Sequence, residues 1–306
     1  MSLRPPRTFC DVPYAPRLEL GAAEVVVLGA AHGTPYHVGV ASHAAAAPAA
    51  IRAGTDVYAS GPDQFDFDSD GVRFAGARVV DAGDLQLSAA DGAANRATIA
   101  RAVAEVRAAG AVPLLLGGDD SVPIPALAAF AGQALTVVQI DAHIDWRDEV
   151  AGETMGFSST MRRASEMAHV EALVQIGARG PGSARRPEVE DARAWGAHLV
   201  TARELHRRGV SAALDRISHG RPVYLAIDVD GLDPSLVPGV LLPAFGGLTY
   251  TQMLELIHGL EAHAPIVGCS FVEYVPAKDP SGLGAMAIAR LACNVIAAIG
   301  RQRATA

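Results

Sequence analysis

A chain of 306 residues, half hydrophobic and 19% charged, can bury a substantial core and is too apolar to stay disordered. Its formal net charge of −8, with no basic run, argues against nucleic acid or an anionic membrane as partner. Three widely spaced cysteines, Cys10, Cys269 and Cys293, form no CxxC pair, and segment 1–17 has no apolar signal core, so a reduced, cytoplasmic protein is expected.

Strand-like and helix-like segments then alternate. Residues 24–28 (Glu-Val-Val-Val-Leu) predict a first strand, followed by a loop rich in glycine and histidine that runs to His43. Residues 44–51 predict a short helix interrupted at Pro48, and 54–76 an irregular excursion. A weak strand at 78–80 precedes a helix over 93–109, with Ile99, Val103 and Val106 on one face and Gly110 as its stop. A strand at 112–116 and a short helix at 121–130 lead to the central strand, 135–141. Helices at 157–167 and 184–195 and strands at 173–177 and 198–200 follow. Residues 202–218 predict a helix broken at Gly209, leading into a strand at 223–229. The helix at 249–263 opens on a capping box of Thr249 and Gln252, and a strand at 266–272 and a helix at 283–299 come last. About eight strands alternating with helices predict one domain over 1–306, a mostly parallel α/β sheet covered on both faces. No run is expected to reach the ~20 apolar residues that span a bilayer.

The polar residues fall at strand ends. Val137-Val138-Gln139-Ile140 runs into Asp141, His143 and Asp145, which share one face if the backbone stays extended. Val223 to Ile227 repeats the pattern with Asp228 and Asp230. Buried strands that end in unpaired acids are costly unless cations neutralise them, so two such ends side by side read as a site for two metal ions. Ligands of a parallel sheet lie beyond the carboxyl ends of its strands. Gly117-Gly118-Asp119-Asp120-Ser121 and Glu273 fall on the same rim.

These segments resemble motifs of the ureohydrolases, the family of arginase and agmatinase. Asp141-Ala142-His143-Ile144-Asp145 is similar to its DAHxD motif, Asp228 to Pro234 to its DxDxxDP motif, and 117–121 to GGDHS. Pro238-Gly239, 246–249 and 271–276 add further likeness across nearly the whole chain. The resemblance implies a three-layer α/β arginase-like fold and two divalent ions, manganese first and nickel or cobalt as alternatives. It also implies hydrolysis of a small cationic guanidino compound, or a related amidine or biguanide, to urea and an amine. The protein is then expected to be a homo-oligomer, trimer or hexamer, or to assemble with a paralogous subunit. Carried over by position, Asp141 and Asp228 bridge the ions, Asp145 completes one shell, and His143 with Asp230 the other. Asp145 also takes and returns the proton, and Glu273 grips the guanidinium by paired hydrogen bonds.

Two departures stand out. Asp120 occupies the place of the GGDHS histidine, adding one negative charge, and either ligates metal or caps the helix that follows. Met155-Gly156 stands where relatives carry a histidine before glycine, so a proton-shuttling histidine is missing there. His32, His37 and His43 lie on the same rim, and His37 is taken as the replacement, although loop histidines are more often structural. Asp119 is expected to fix its loop, Asp233 to shape a turn or orient a ligand, Met155 to form an apolar pocket wall, and Trp146 and Arg147 to line the pocket or make surface or subunit contacts. The alternative function is a degenerate homologue serving as a structural or regulatory subunit.

Overall fold

A computed structural model describes residues 2–16, 20–56, 61 and 63–305. The strands are β1 (Ser2–Leu3), β2 (Val25–Ala30), β3 (Phe65–Asp66), β4 (Gly71–Val72), β5 (Val79–Leu85), β6 (Val112–Gly117), β7 (Leu135–Ile140), β8 (Val170–Ile176), β9 (His198–Val200), β10 (Val223–Asp228) and β11 (Ile266–Val272). Nine of them form one sheet in the order β1-β5-β2-β6-β11-β10-β7-β8-β9. Eight run parallel, as the alternation of segments predicts. The ninth, β1, is a two-residue antiparallel edge on β5 that no hydropathy pattern announces. The excursion at 54–76 contains the small β3–β4 hairpin; its positions 57–60 and 62 lie outside the described residues.

The helices are α1 (Ala47–Ala53), α2 (Gly92–Ala108), α3 (Pro123–Ala128), α4 (Thr160–Ser165), α5 (Arg186–Trp195), α6 (Ala202–Arg208), α7 (Ser211–Leu214), α8 (Tyr250–His263) and α9 (Leu283–Ala304). Alternation along each strand divides the core in two. Val25, Val27, Leu114 and Leu116 join α1 and α6 to α9 on one face, whereas Val26, Leu28 and Leu115 join α2 to α5 on the other. The result is the expected three-layer α/β fold, with the sheet between two layers of helices. Thr249 and Gln252 make the expected reciprocal cap at the start of α8. The helix expected over 121–130 is shorter, Pro123–Ala128, and starts with Pro123 in its first turn, where no backbone N–H is needed.

One expectation needs correcting. α9 is long and apolar enough to cross a bilayer, contrary to the reading of the sequence, because scattered polar residues such as Arg290 and Asn294 hide its length. It is a core helix here, with 78% of its most apolar window buried against the sheet and its neighbours.

Candidate active site

Four strands adjacent in the sheet, β6, β11, β10 and β7, present their carboxyl ends side by side. Segments as far as 153 positions apart in sequence thereby meet on one rim. Asp120 follows β6, Glu273 follows β11, Asp228 ends β10 with Asp230 just beyond, and Asp141, His143 and Asp145 follow β7.

The backbone there is not extended, as the alternation argument had it. β7 ends at Ile140, and the Asp141 carboxylate accepts the His143 N–H at 2.6 Å. Asp228 accepts the Asp230 N–H at 2.8 Å in the same way. Both Asp-x-(His/Asp) spacings are therefore carboxylate-stabilised turns that fold two ligand-type side chains inward. A Cβ at Gly231 would lie 2.6 Å from the Asp141 nitrogen, so glycine allows the two turns to abut. Asp145 and Glu273 sit in left-handed backbone, φ +41° and +67°, a costly conformation that surrounding structure must enforce and that clusters at functional sites.

Asp230 bridges the turns. One oxygen accepts the Ala142 N–H at 3.0 Å and the other lies 3.1 Å from His143 Nδ1, which is 3.3 Å from Asp141. Donor atoms of Asp141, His143 and Asp230 form one group, and those of Asp120, Asp141 and Asp145 a second, each within 4.8 Å mutually. Asp141 belongs to both. Asp228 lines the same pocket as Asp120, His143, Asp145 and Asp230. Burial and the neighbouring Asp141 charge hold Asp120 and Asp145 well above the usual carboxylate range, and burial with Asp230 and Asp141 does the same to Asp228. Burial opposes protonation of His143, but hydrogen bonds to Asp141 and Asp230 push its imidazole up to about 11. Such a cluster calls for cations.

The sequence profile described as Arginase family matches residues 23–298. The chain belongs to the arginase family.

Among its curated relatives, proclavaminate amidinohydrolase of Streptomyces clavuligerus is 31% identical over 97% of this chain and 94% of that protein. Its solved structure superposes with a TM-score of 0.84 at 28% identity, covering 97% of each chain. Human mitochondrial guanidino acid hydrolase is 30% identical over 74% of this chain, and guanidinobutyrase of Pseudomonas aeruginosa 34% identical over 60%. Those two matches span 66% and 60% of the relatives' own lengths.

For an arginase-family chain the departures at 120 and 155 are the informative positions. Both Asp120 oxygens are buried without a hydrogen-bond partner, and α3 has Val122 at its N-cap, so Asp120 does not cap that helix. Orphaned carboxylate oxygens beside Asp141 and Asp145 fit a cation, and an oxygen-rich donor set with one imidazole suits a hard divalent ion. Met155 is absent from the described lining of the pocket, whose apolar walls are Phe157, Leu241 and Leu242. Trp146 is buried with its indole on Asp191, and Arg147 pairs with Glu188, so neither lines the pocket. Asp119 holds Ser121, and Asp233 accepts from Ser235, Gly246 and Gly247 in a turn.

The loop histidines separate. His37 is exposed and lines an adjoining cavity, not the carboxylate pocket. His32 accepts the Ser42 N–H. His43 alone reaches the site, with Nε2 2.5 Å from Glu273 Oε2, while Glu273 Oε1 accepts the Asp120 N–H at 2.9 Å. Two further residues escape the sequence reading. Gln139 donates to Asp141 at 2.6 Å and Asp145 at 3.0 Å, and Gln175 donates to Gln139 at 2.6 Å. A glutamine inside the apolar run Val137–Ile140, two places before Asp141, was the available signal.

Proposed function

We propose that this chain is a metal-dependent amidinohydrolase that cleaves a C–N bond of a small guanidino compound to give urea and an amine. The observation that carries it is the pair of ligand groups sharing Asp141 in an arginase-family fold. Asp120, Asp141, His143, Asp145, Asp228 and Asp230 would hold two divalent ions, manganese in preference to nickel. Such ions supply charge for the buried carboxylates and acidify water near neutral pH.

The chain's own groups divide the remaining work. Glu273 meets the guanidinium with the lone pairs left free by Asp120 N–H and His43, fixing the plane of the head group. Water adds to the guanidinium carbon, and Asp145, oriented by Gln139, accepts its proton and returns it to the leaving nitrogen. His43, held by Glu273, serves as the proton carrier assigned from sequence to His37. The working form is a cytoplasmic homo-oligomer, trimer or hexamer. Metal analysis together with urea release over a guanidino panel tests the reading: about two ions per chain and urea from at least one compound are expected. Absence of urea with metal loaded, alone or beside a paralogous subunit, would return the chain to the structural-subunit alternative, which no present finding favours.

A further inference from the structure

We infer that the substrate's tail occupies a second, apolar cavity beside the carboxylate pocket, and that the preferred substrates carry a neutral, ring-sized tail in place of an acid or amine. The inference rests on the hydrolase reading above. Between the carboxylates the pocket holds about 60 Å³, the smaller of the two adjoining spaces. His143, Ser183 and Leu242 line both this pocket and a neighbouring cavity of about 600 Å³, so the two adjoin. The larger cavity is walled by Pro181, Gly182, Leu242, Pro243 and Phe245. Leu242 and Phe245 are 63% and 87% exposed, an unusual state for large apolar side chains grouped on one wall.

Charge decides the tail's chemistry. Among the described residues no carboxylate lines this cavity, so an amine tail has no counter-ion there. Its one standing cation is Arg179, since His143 faces Asp141 and Asp230 and is a neutral ligand in the reading above. Arg179 spends its guanidinium on backbone: Nε and Nη2 donate to Ala244 O, Nη1 to Gly177 O and Gly231 O, and Nη2 also to Asp230 O and Leu232 O. Its five N–H groups are thus committed to carbonyls. A carboxylate tail would give up its water for one neutral side-chain donor, the Ser183 hydroxyl, with no uncommitted cation to pair it. A neutral ring gains from burial, since each methylene in a hydrophobic pocket contributes about tenfold or more in discrimination. The alternative route passes Phe157 into the cavity of about 170 Å³ that carries His37.

The full chain, manganese-loaded, is assayed for kcat/KM and calorimetric Kd with benzylguanidine, 4-guanidinobutyrate and agmatine. Benzylguanidine should lead by at least about tenfold. Phe245→Ala should abolish most of that lead, and Leu242→Arg should shift preference toward 4-guanidinobutyrate. A wild-type preference for agmatine overturns the inference. So does a preference for the acid, and its loss in His37→Ala would place the tail in the His37 cavity. Phe245→Ala that alters oligomer size by light scattering without changing the substrate order overturns it too, making this wall a subunit contact. If no compound releases urea, the hydrolase reading falls. The binding order then still decides the cavity: tighter benzylguanidine supports it, and equal or weaker binding overturns it.

Discussion

His43 Nε2 and Glu273 Oε2 lie 2.5 Å apart, joining the loop after β2 to the end of β11 beside the carboxylate pocket. Burial opposes charge on the imidazole, but the hydrogen bond and charge of Glu273 outweigh it and hold His43 above its ordinary value. A group raised on folding adds stability in full below its unfolded value, about 6.5 for histidine, and loses it as pH rises through the folded value. In Glu273→Gln the His43 titration midpoint, read by NMR, should therefore fall. An unchanged midpoint would separate the two residues functionally.

The same substitution should weaken the grip on substrate. Replacing one member of a charge-assisted pair costs about 1.5–3 kcal/mol, roughly ten- to a hundredfold in kcat/KM. Metal content should not change, because Glu273 belongs to neither ligand group. Loss of metal would recast Glu273 as a support of Asp120 through its backbone N–H.

Asp141 sits in both ligand groups, so Asp141→Asn should empty both positions, whereas Asp120→Ala should weaken one. Asp120→His should retain that ion with one charge fewer. Plasma emission spectrometry on the purified variants reads the result; two full equivalents in Asp141→Asn would refute the shared-ligand geometry.

Without metal, the raised carboxyls of Asp120, Asp145 and Asp228 and the raised imidazole of His143 act in the same direction. Each stabilises the fold at low pH and stops doing so as pH rises through its folded value, which for His143 is about 11. The chelated protein should melt at a lower temperature at pH 8 than at pH 6.5. Added manganese should recover more at pH 8, about 2.7 kcal/mol at a hundredfold excess over Kd. Equal recovery at both pH values would argue against displacement of protons from these residues.

Gln139 tests the support beneath the ligands. Gln139→Leu removes the amide shared by Asp141 and Asp145 while keeping volume, and should lower metal affinity about ten- to a hundredfold. Gln175→Leu should produce a smaller loss in the same titration, since it acts through Gln139. Unaltered metal affinity in Gln139→Leu would make the amide a packing group.

The parallel strands were legible because β-branched runs such as Val25–Val27 and Val137–Val138 are buried on both faces and carry an unbroken apolar signal. The ligand residues were legible because acids at buried strand ends demand partners. Their local geometry was not: the spacing of Asp141 and His143 fits an extended strand and a carboxylate turn equally, and only the hydrogen bond to His143 N decides. Preferring His37 to His43 failed to anticipate the contact with Glu273, because a loop without periodicity gives no register for its side chains. Gln139 and Gln175 read as isolated polar interruptions until β7 and β8 are paired, which sets them directly opposite.

The place of β11 in the sheet has a consequence for biosynthesis. It lies between β6 and β10, yet only α9 follows it among the long elements of the described chain. On the ribosome, β1-β5-β2-β6 and β10-β7-β8-β9 can form only as two half-sheets, each with an unpaired edge facing the same gap. Asp120 belongs to one half and Asp141, His143, Asp145, Asp228 and Asp230 to the other. Insertion of 266–272 joins them, so nascent chains shorter than this carry two open templates for wrong pairing and only part of the ligand set. The two parts of the centre meet only once that strand is in place.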